Sequence, residues 1–122
     1  MKKLYILLAF STLLLAGCTK TIVTPQVNTY DWMRSREKGV VAYVDYYTGN
    51  YIVNTNNGYA VIQLQGGAAP RVYDEEYAYF SNPGMQTTYN YSGDYFTDIR
   101  IVDTWLTWND ANYLLDQISQ GY

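Results

Sequence analysis

Two turn signals, Thr48-Gly49-Asn50 and Asn56-Asn57-Gly58, cut residues 40–65 into three short segments. Asn-Gly is a strong hairpin signal because both residues tolerate positive φ. The first and third segments alternate in polarity. In Val40–Tyr47 one face reads Val40, Ala42, Val44, Tyr46, and the other Val41, Tyr43, Asp45, Tyr47. Tyr51–Thr55 runs back. In Tyr59–Gln65, Ala60, Ile62 and Leu64 oppose Tyr59, Val61, Gln63 and Gln65. A period of two belongs to strands half-buried in a sheet. The spacing therefore predicts a three-stranded meander with one buried face.

The rest of the chain adds to this sheet. Gly66-Gly67-Ala68-Ala69-Pro70 interrupts it, and a strand is predicted in Arg71–Phe80, pairing only in its second half because Asp74-Glu75-Glu76 reads as a solvated edge. Ser81-Asn82-Pro83-Gly84 is a turn, with proline presetting φ and glycine accepting positive φ. Met85–Tyr91 and the long Tyr95–Leu106 follow as strands on either side of Ser92-Gly93-Asp94. A short helix is predicted over 30–38, capped by Asn28 or Thr29, with Asp31 early, Arg34, Arg36 and Lys38 late, and Gly39 after it. A second helix is predicted from Asp110 to about Ser119, with Asn109 as N-cap and Trp108 stapled onto Tyr113. Its apolar stripe is Ala111, Leu114, Leu115 and Ile118, and Gly121 stops it. The fold class is mainly β (α+β). It is a small, strongly bent antiparallel sheet or partly open barrel of about five or six strands. A short N-terminal helix precedes it, and the amphipathic C-terminal helix plugs one end or face. Such a count fits both SH3-like and oligonucleotide/oligosaccharide-binding barrels, and the connections do not choose between them.

The first eighteen residues read differently. Lys2 and Lys3 precede an apolar run, Leu4–Leu15, broken only by Ser11 and Thr12, and small residues lead to Cys18. A basic start, a short apolar core and a small-residue cleavage site describe a secretory signal peptide. The run is shorter than the roughly 20 residues a membrane span needs. Leu15-Ala16-Gly17-Cys18 resembles the lipobox of bacterial lipoproteins, position for position. The resemblance implies cleavage after Gly17, diacylation of the Cys18 sulfur and acylation of its new amino group, palmitate being a typical chain. It also implies a sorting outcome. Thr19 follows the cysteine where an aspartate would favour inner-membrane retention, so the expected location is the outer membrane, lipid-anchored and facing the periplasm. The organisation read from the chain is a cleaved signal peptide at 1–17, a lipidated cysteine and Thr-rich tether at 18–29, and one small domain at 30–122.

After that cleavage six basic residues stand against eleven acidic ones, a net charge of −5. An acidic domain repels phosphate backbones, which argues against nucleic acid. With Cys18 acylated, no thiol remains for a disulfide. The chain has no histidine, so the commonest general base and metal ligand are missing. No glycine-rich phosphate loop occurs. Asp74-Glu75-Glu76 offers paired carboxylates, but neighbouring strand residues point to opposite faces. Asp94 and Asp98 lack the calcium-loop signature. The chain reads as non-enzymatic, with no catalytic residues, no metal and no cofactor. Tyrosine is the remaining signal: of 15 in the chain, only Tyr5 precedes the cleavage site. Tyr43, Tyr47, Tyr59 and Gln63 share the second face of the meander and form the candidate binding surface, with Asn50, Asn54, Asn56 and Asn57 near it. Apolar bodies with polar tips suit either an envelope protein partner or a glycan such as peptidoglycan.

Overall fold

The computed structural model describes residues 27–120. The signal peptide, Cys18, most of the tether and the Gly121 stop lie outside the described residues. Within them the order is α1 (Thr29–Ser35), β1 (Glu37–Val44), β2 (Tyr51–Thr55), β3 (Gly58–Gly66), β4 (Glu75–Ala78), β5 (Gly84–Asn90), β6 (Tyr95–Leu106) and α2 (Trp108–Ser119). The strands close into a barrel in the order β1-β2-β3-β6-β5-β4. Every neighbouring pair is antiparallel, including β1 with β4, which run from Glu37 opposite Ala78 to Val40 opposite Glu75. Two three-stranded meanders thus meet edge to edge along β3–β6 and β1–β4. Six strands with full closure depart from the five-stranded, partly open oligonucleotide/oligosaccharide-binding barrel.

The interior is filled from both meanders. Val41, Val44, Val53, Ile62, Ile99, Ile101 and Phe80 are fully or almost fully buried in one cluster. Each such side chain contributes roughly 1.5–3 kcal/mol over an exposed one. Gly39 is buried where β1 crosses β2: a Cβ there would collide with Val53 Cγ1 and reach 2.9 Å from Phe80 Cε2. The helices lie on opposite walls. α1 rests against β1, β4 and β5, and α2 against β2, β3 and β6. Ile52 and Val61 point outward into a second cluster with Ala111 and Leu115. The amphipathic stripe read in the sequence is therefore the packed face of α2, which covers a wall and not an end.

Several boundaries differ from the sequence reading. The helix expected over 30–38 ends at Ser35, and Arg36 is already extended, at φ −119° and ψ 166°. Residues 37–40 pair with β4 instead, so the barrel seam takes the last turn of the helix. Asn28 caps α1, its Oδ1 accepting from the Tyr30 and Asp31 amides at 3.0 and 3.3 Å. At α2 the cap is Thr107, whose hydroxyl accepts from the Asp110 amide at 3.2 Å, and Asn109 falls inside the helix. Trp108 meets Tyr59 across the wall, ring centroids 5.2 Å apart, in place of the expected staple to Tyr113. The largest correction is in β1. Its register slips between Val41 (opposite Val53) and Tyr43 (opposite Ile52), so a bulge at Ala42 breaks the alternation. Val41 and Val44 point inward, Ala42 turns out toward α2, and Tyr46 lies beyond the strand in solvent.

Candidate functional site

The register fixes where the predicted residues fall. Tyr43 and Tyr47 belong to the β1–β2 hairpin and are exposed, by 47% and 101%. Gln63 lies at the same end of the meander, one residue past the Tyr51–Ile62 pair, where its Oε1 accepts from the Arg100 guanidinium and the Gln65 amide, both at 3.3 Å. Tyr59 lies at the opposite end, opposite Asn54, and is half-buried beside Trp108. Between these ends α2 covers Ile52 and Val61. The structure thus brings Tyr43, Tyr47 and Gln63 to one end of the sheet and separates Tyr59 from them.

The turn that carries Tyr46 and Tyr47 is locked by its own side chains. The Asp45 amide donates to the Asn50 carbonyl at 2.8 Å, and the Gly49 amide to the Asp45 carbonyl at 2.7 Å. Asp45 Oδ1 accepts from the Tyr47 amide at 3.0 Å and Oδ2 from the Thr48 hydroxyl at 3.1 Å. Burial opposes the Asp45 charge, but hydrogen bonds from the Tyr47 amide, Ser119 and Thr48 outweigh it and hold the carboxyl below its usual range. Asn50 ties the turn to its neighbours: its Oδ1 accepts from the Leu64 amide at 3.1 Å. Gly49 takes φ 81°, which suits glycine. Tyr46 is 69% exposed, so three exposed tyrosines stand on one fixed hairpin end. Sequence reasoning placed Tyr46 on the buried face. Nothing in the alternation signals the bulge at Ala42 or the end of the strand at Val44.

A second aromatic surface, not foreseen from the sequence, surrounds α1. The Trp32 indole N–H donates to the Tyr77 carbonyl at 3.0 Å, and its ring meets Phe96 edge-on at 5.1 Å. The Arg36 guanidinium lies 3.4 Å from the Trp32 ring centroid and 4.8 Å from that of Tyr79, and Arg34 lies 5.2 Å from that of Tyr30. Beside them Tyr30, Met33, Arg34, Glu75, Tyr77 and Tyr91 line a shallow hollow of about 390 Å³. The clue in the sequence was the run of Trp32, Arg34 and Arg36; Arg34 and Arg36 stack on Tyr30 and Trp32 nearby in the chain, while Tyr77, Tyr79 and Phe96 join them only in the folded barrel.

The barrel interior holds a polar network. In the acid triplet, read as a solvated edge, alternation sends Glu75 outward to Lys38 (3.5 Å) and Glu76 inward. Tyr51 donates its hydroxyl to Glu76 Oε1 at 2.7 Å, and Asn90 Nδ2 approaches Oε2 at 3.5 Å. Asn90 Nδ2 also donates to Asp74 Oδ2 at 2.9 Å and lies 3.1 Å from the Tyr95 hydroxyl. Burial pushes the Glu76 carboxyl up to about 7, against the lowering effect of the Tyr51 hydrogen bond. Burial and the neighbouring Glu76 raise Tyr51 well above the usual phenol range. A hollow of about 410 Å³ at the barrel mouth, lined by Arg71, Asp74, Ser92 and Tyr95, meets this network only through Asp74 and Tyr95. Glu76 has no exposed surface, so a molecule in that hollow would not touch it directly. Asp94 and Asp98 are held as hydrogen-bond acceptors, from Tyr89 at 2.6 Å and Thr87 at 3.2 Å. Among the described residues no three acidic, histidine or cysteine side chains gather to hold a metal. Comparison with known proteins yields no family model, no curated protein and no solved structure that matches this chain.

Proposed function

We propose that this chain is a lipid-anchored envelope protein of the bacterial outer membrane, facing the periplasm, whose barrel is a non-enzymatic binding module for another envelope protein. The observation that carries the reading is the locked hairpin end with Tyr43, Tyr46 and Tyr47 exposed. Tyrosine is enriched among the residues that dominate binding energy at interfaces. Rings already fixed on a rigid turn lose little freedom when a partner closes over them. The test uses the lipidated protein in its own envelope with benzoylphenylalanine in place of Tyr47. One discrete crosslinked protein species is expected, and it should disappear in Tyr46→Ala protein whose circular dichroism is unchanged. The same species formed equally from Tyr73, which is exposed in another loop, would defeat the assignment.

A second reading, peptidoglycan or polysaccharide binding, is favoured by Gln63 and Arg100 at the same end, where amide and guanidinium groups flank exposed rings. Its test is pelleting with purified sacculi, comparing wild type with a folded Tyr43→Ala, Tyr47→Ala variant. Pelleting lost in the variant supports the glycan reading, and no pelleting by either protein excludes peptidoglycan.

A further inference from the structure

We infer that the α1 wall is a membrane-docking face that rests on anionic phospholipid headgroups and orients the barrel above the bilayer. The inference rests on the lipid-anchor reading and concerns a surface distinct from the hairpin end proposed for the protein partner.

The first argument is position. α1 starts at Thr29, and the chain between Cys18 and Thr29 spans at most about 35–40 Å even when fully extended. The domain is therefore joined to its anchor at this wall, and a slack tether brings this wall to the bilayer first. The second argument is charge. Of the five Lys and Arg residues among positions 27–120, three are Arg34, Arg36 and Lys38. Lys38 is paired with Glu75, and both Glu37 oxygens are taken up by Ser81 and Asn57. Among the described residues Arg34 and Arg36 form no carboxylate pair within 4 Å; their guanidiniums lie over aromatic rings. Residues 29–38 carry a net +1 with Asp31 and Glu37 counted; with Glu75, which lines the same hollow, the wall is neutral, whereas the rest of the described chain carries −6. The net charge alone argues against an anionic surface, but its distribution admits approach by this wall and repels approach by the others. The third argument is side-chain chemistry. Tyr30 and Tyr91 are 61% and 53% exposed, and Tyr79 is 41% exposed. Aromatic rings with a polar edge, mixed with arginines, are the residues that collect at headgroup depth.

Phospholipid crosslinking tests this directly. The full protein is purified from its membrane, and intact mass reads whether Cys18 carries lipid. A bare Cys18 would overturn the anchor reading alone, because this single cysteine then accepts a maleimide lipid and supplies the same tether for the docking measurement. The protein is reconstituted in vesicles of phosphatidylglycerol mixed with phosphatidylcholine, or of phosphatidylcholine alone. Benzoylphenylalanine replaces Tyr30, Tyr91 or, on the opposite wall, Tyr113 of α2. Lipid adducts at positions 30 and 91 are expected to exceed those at 113 by about fivefold or more, and to fall by a similar factor without phosphatidylglycerol or in Arg34→Glu protein. Equal yields at all three positions would mean that the domain tumbles freely, and yields indifferent to phosphatidylglycerol would mean that headgroup charge plays no part. Either result overturns docking, as would protein adducts replacing lipid adducts at positions 30 and 91 in the native envelope.

Discussion

Glu76 places a carboxyl in a barrel packed mainly with aliphatic side chains, and its proton is linked to folding. In the unfolded chain the group titrates at 4.5, and in the folded one at about 7. A carboxyl with a raised folded-state value stabilises the fold fully below its unfolded value, and that contribution is lost as pH rises through the folded value. Between about pH 5 and about pH 8 the urea midpoint should therefore fall, by an amount equivalent to about 3 kcal/mol. Glu76→Gln keeps the acceptor for Tyr51 without the charge, so its midpoint should be nearly flat across that range. An unchanged slope in the variant would assign the effect to another group. Trp105 makes a different kind of statement. It is 65% exposed and held at φ 60°, a left-handed conformation that a bulky residue adopts at a cost. Trp105→Asn, which tolerates that conformation, should raise stability by about 1 kcal/mol, measured as an upward shift in the denaturant midpoint. Neither residue's role was legible in the sequence. Alternation separates Glu76 from Glu75, but only the opposing strands decide which of the two faces is the inside.

α2 shows how much of an element a local pattern determines. Its stripe of Ala111, Leu114, Leu115 and Ile118 was readable because burial on one wall demands the 3.6-residue period. Its first turn was not, since Thr107 and Asn109 are both competent caps and the choice depends on where β6 releases the chain. Thr107→Ala should lower stability by about 1 kcal/mol and Asn109→Ala by far less, a comparison that thermal melts of the two variants make directly. Leu115→Ala empties a buried position between α2 and β2–β3 and should cost about 3 kcal/mol. The strands follow the same division. β2, β3 and β6 were legible because turn residues bound them, Gly58 at φ 95° among these, and because Tyr59–Gln65 alternates in polarity. β1 was misread because its bulge at Ala42 answers to pairing with β2, and the end of α1 was misread because β4 captures residues 37–40. The candidate surface carries two errors, one from β1 and one from the position of Tyr59 along β3. Tyr46 was assigned to the core, and Tyr59 was grouped with residues at the far end of the sheet.

At the scale of the whole barrel, the two meanders join along two seams among the described residues, β1–β4 and β3–β6, and should unfold together. Gly39 lies at the first seam with Val53 and Phe80 against it. Gly39→Ala should overpack that junction and cost about 1–3 kcal/mol, read as a lower midpoint at unchanged denaturant slope. Tryptophan emission and far-ultraviolet circular dichroism should lose their signals at one midpoint, in wild type and variant alike, as expected of a single cooperative unit. Under the anchor proposed above, ring closure also bears on how neighbouring copies meet. An open sheet offers unpaired amides and carbonyls along its rim, and tethering confines neighbours to two dimensions where such rims meet constantly. Here each of the six described strands has a neighbour on both sides, so a second copy finds no free-standing edge strand to extend. Association between copies through this barrel then falls to its side chains.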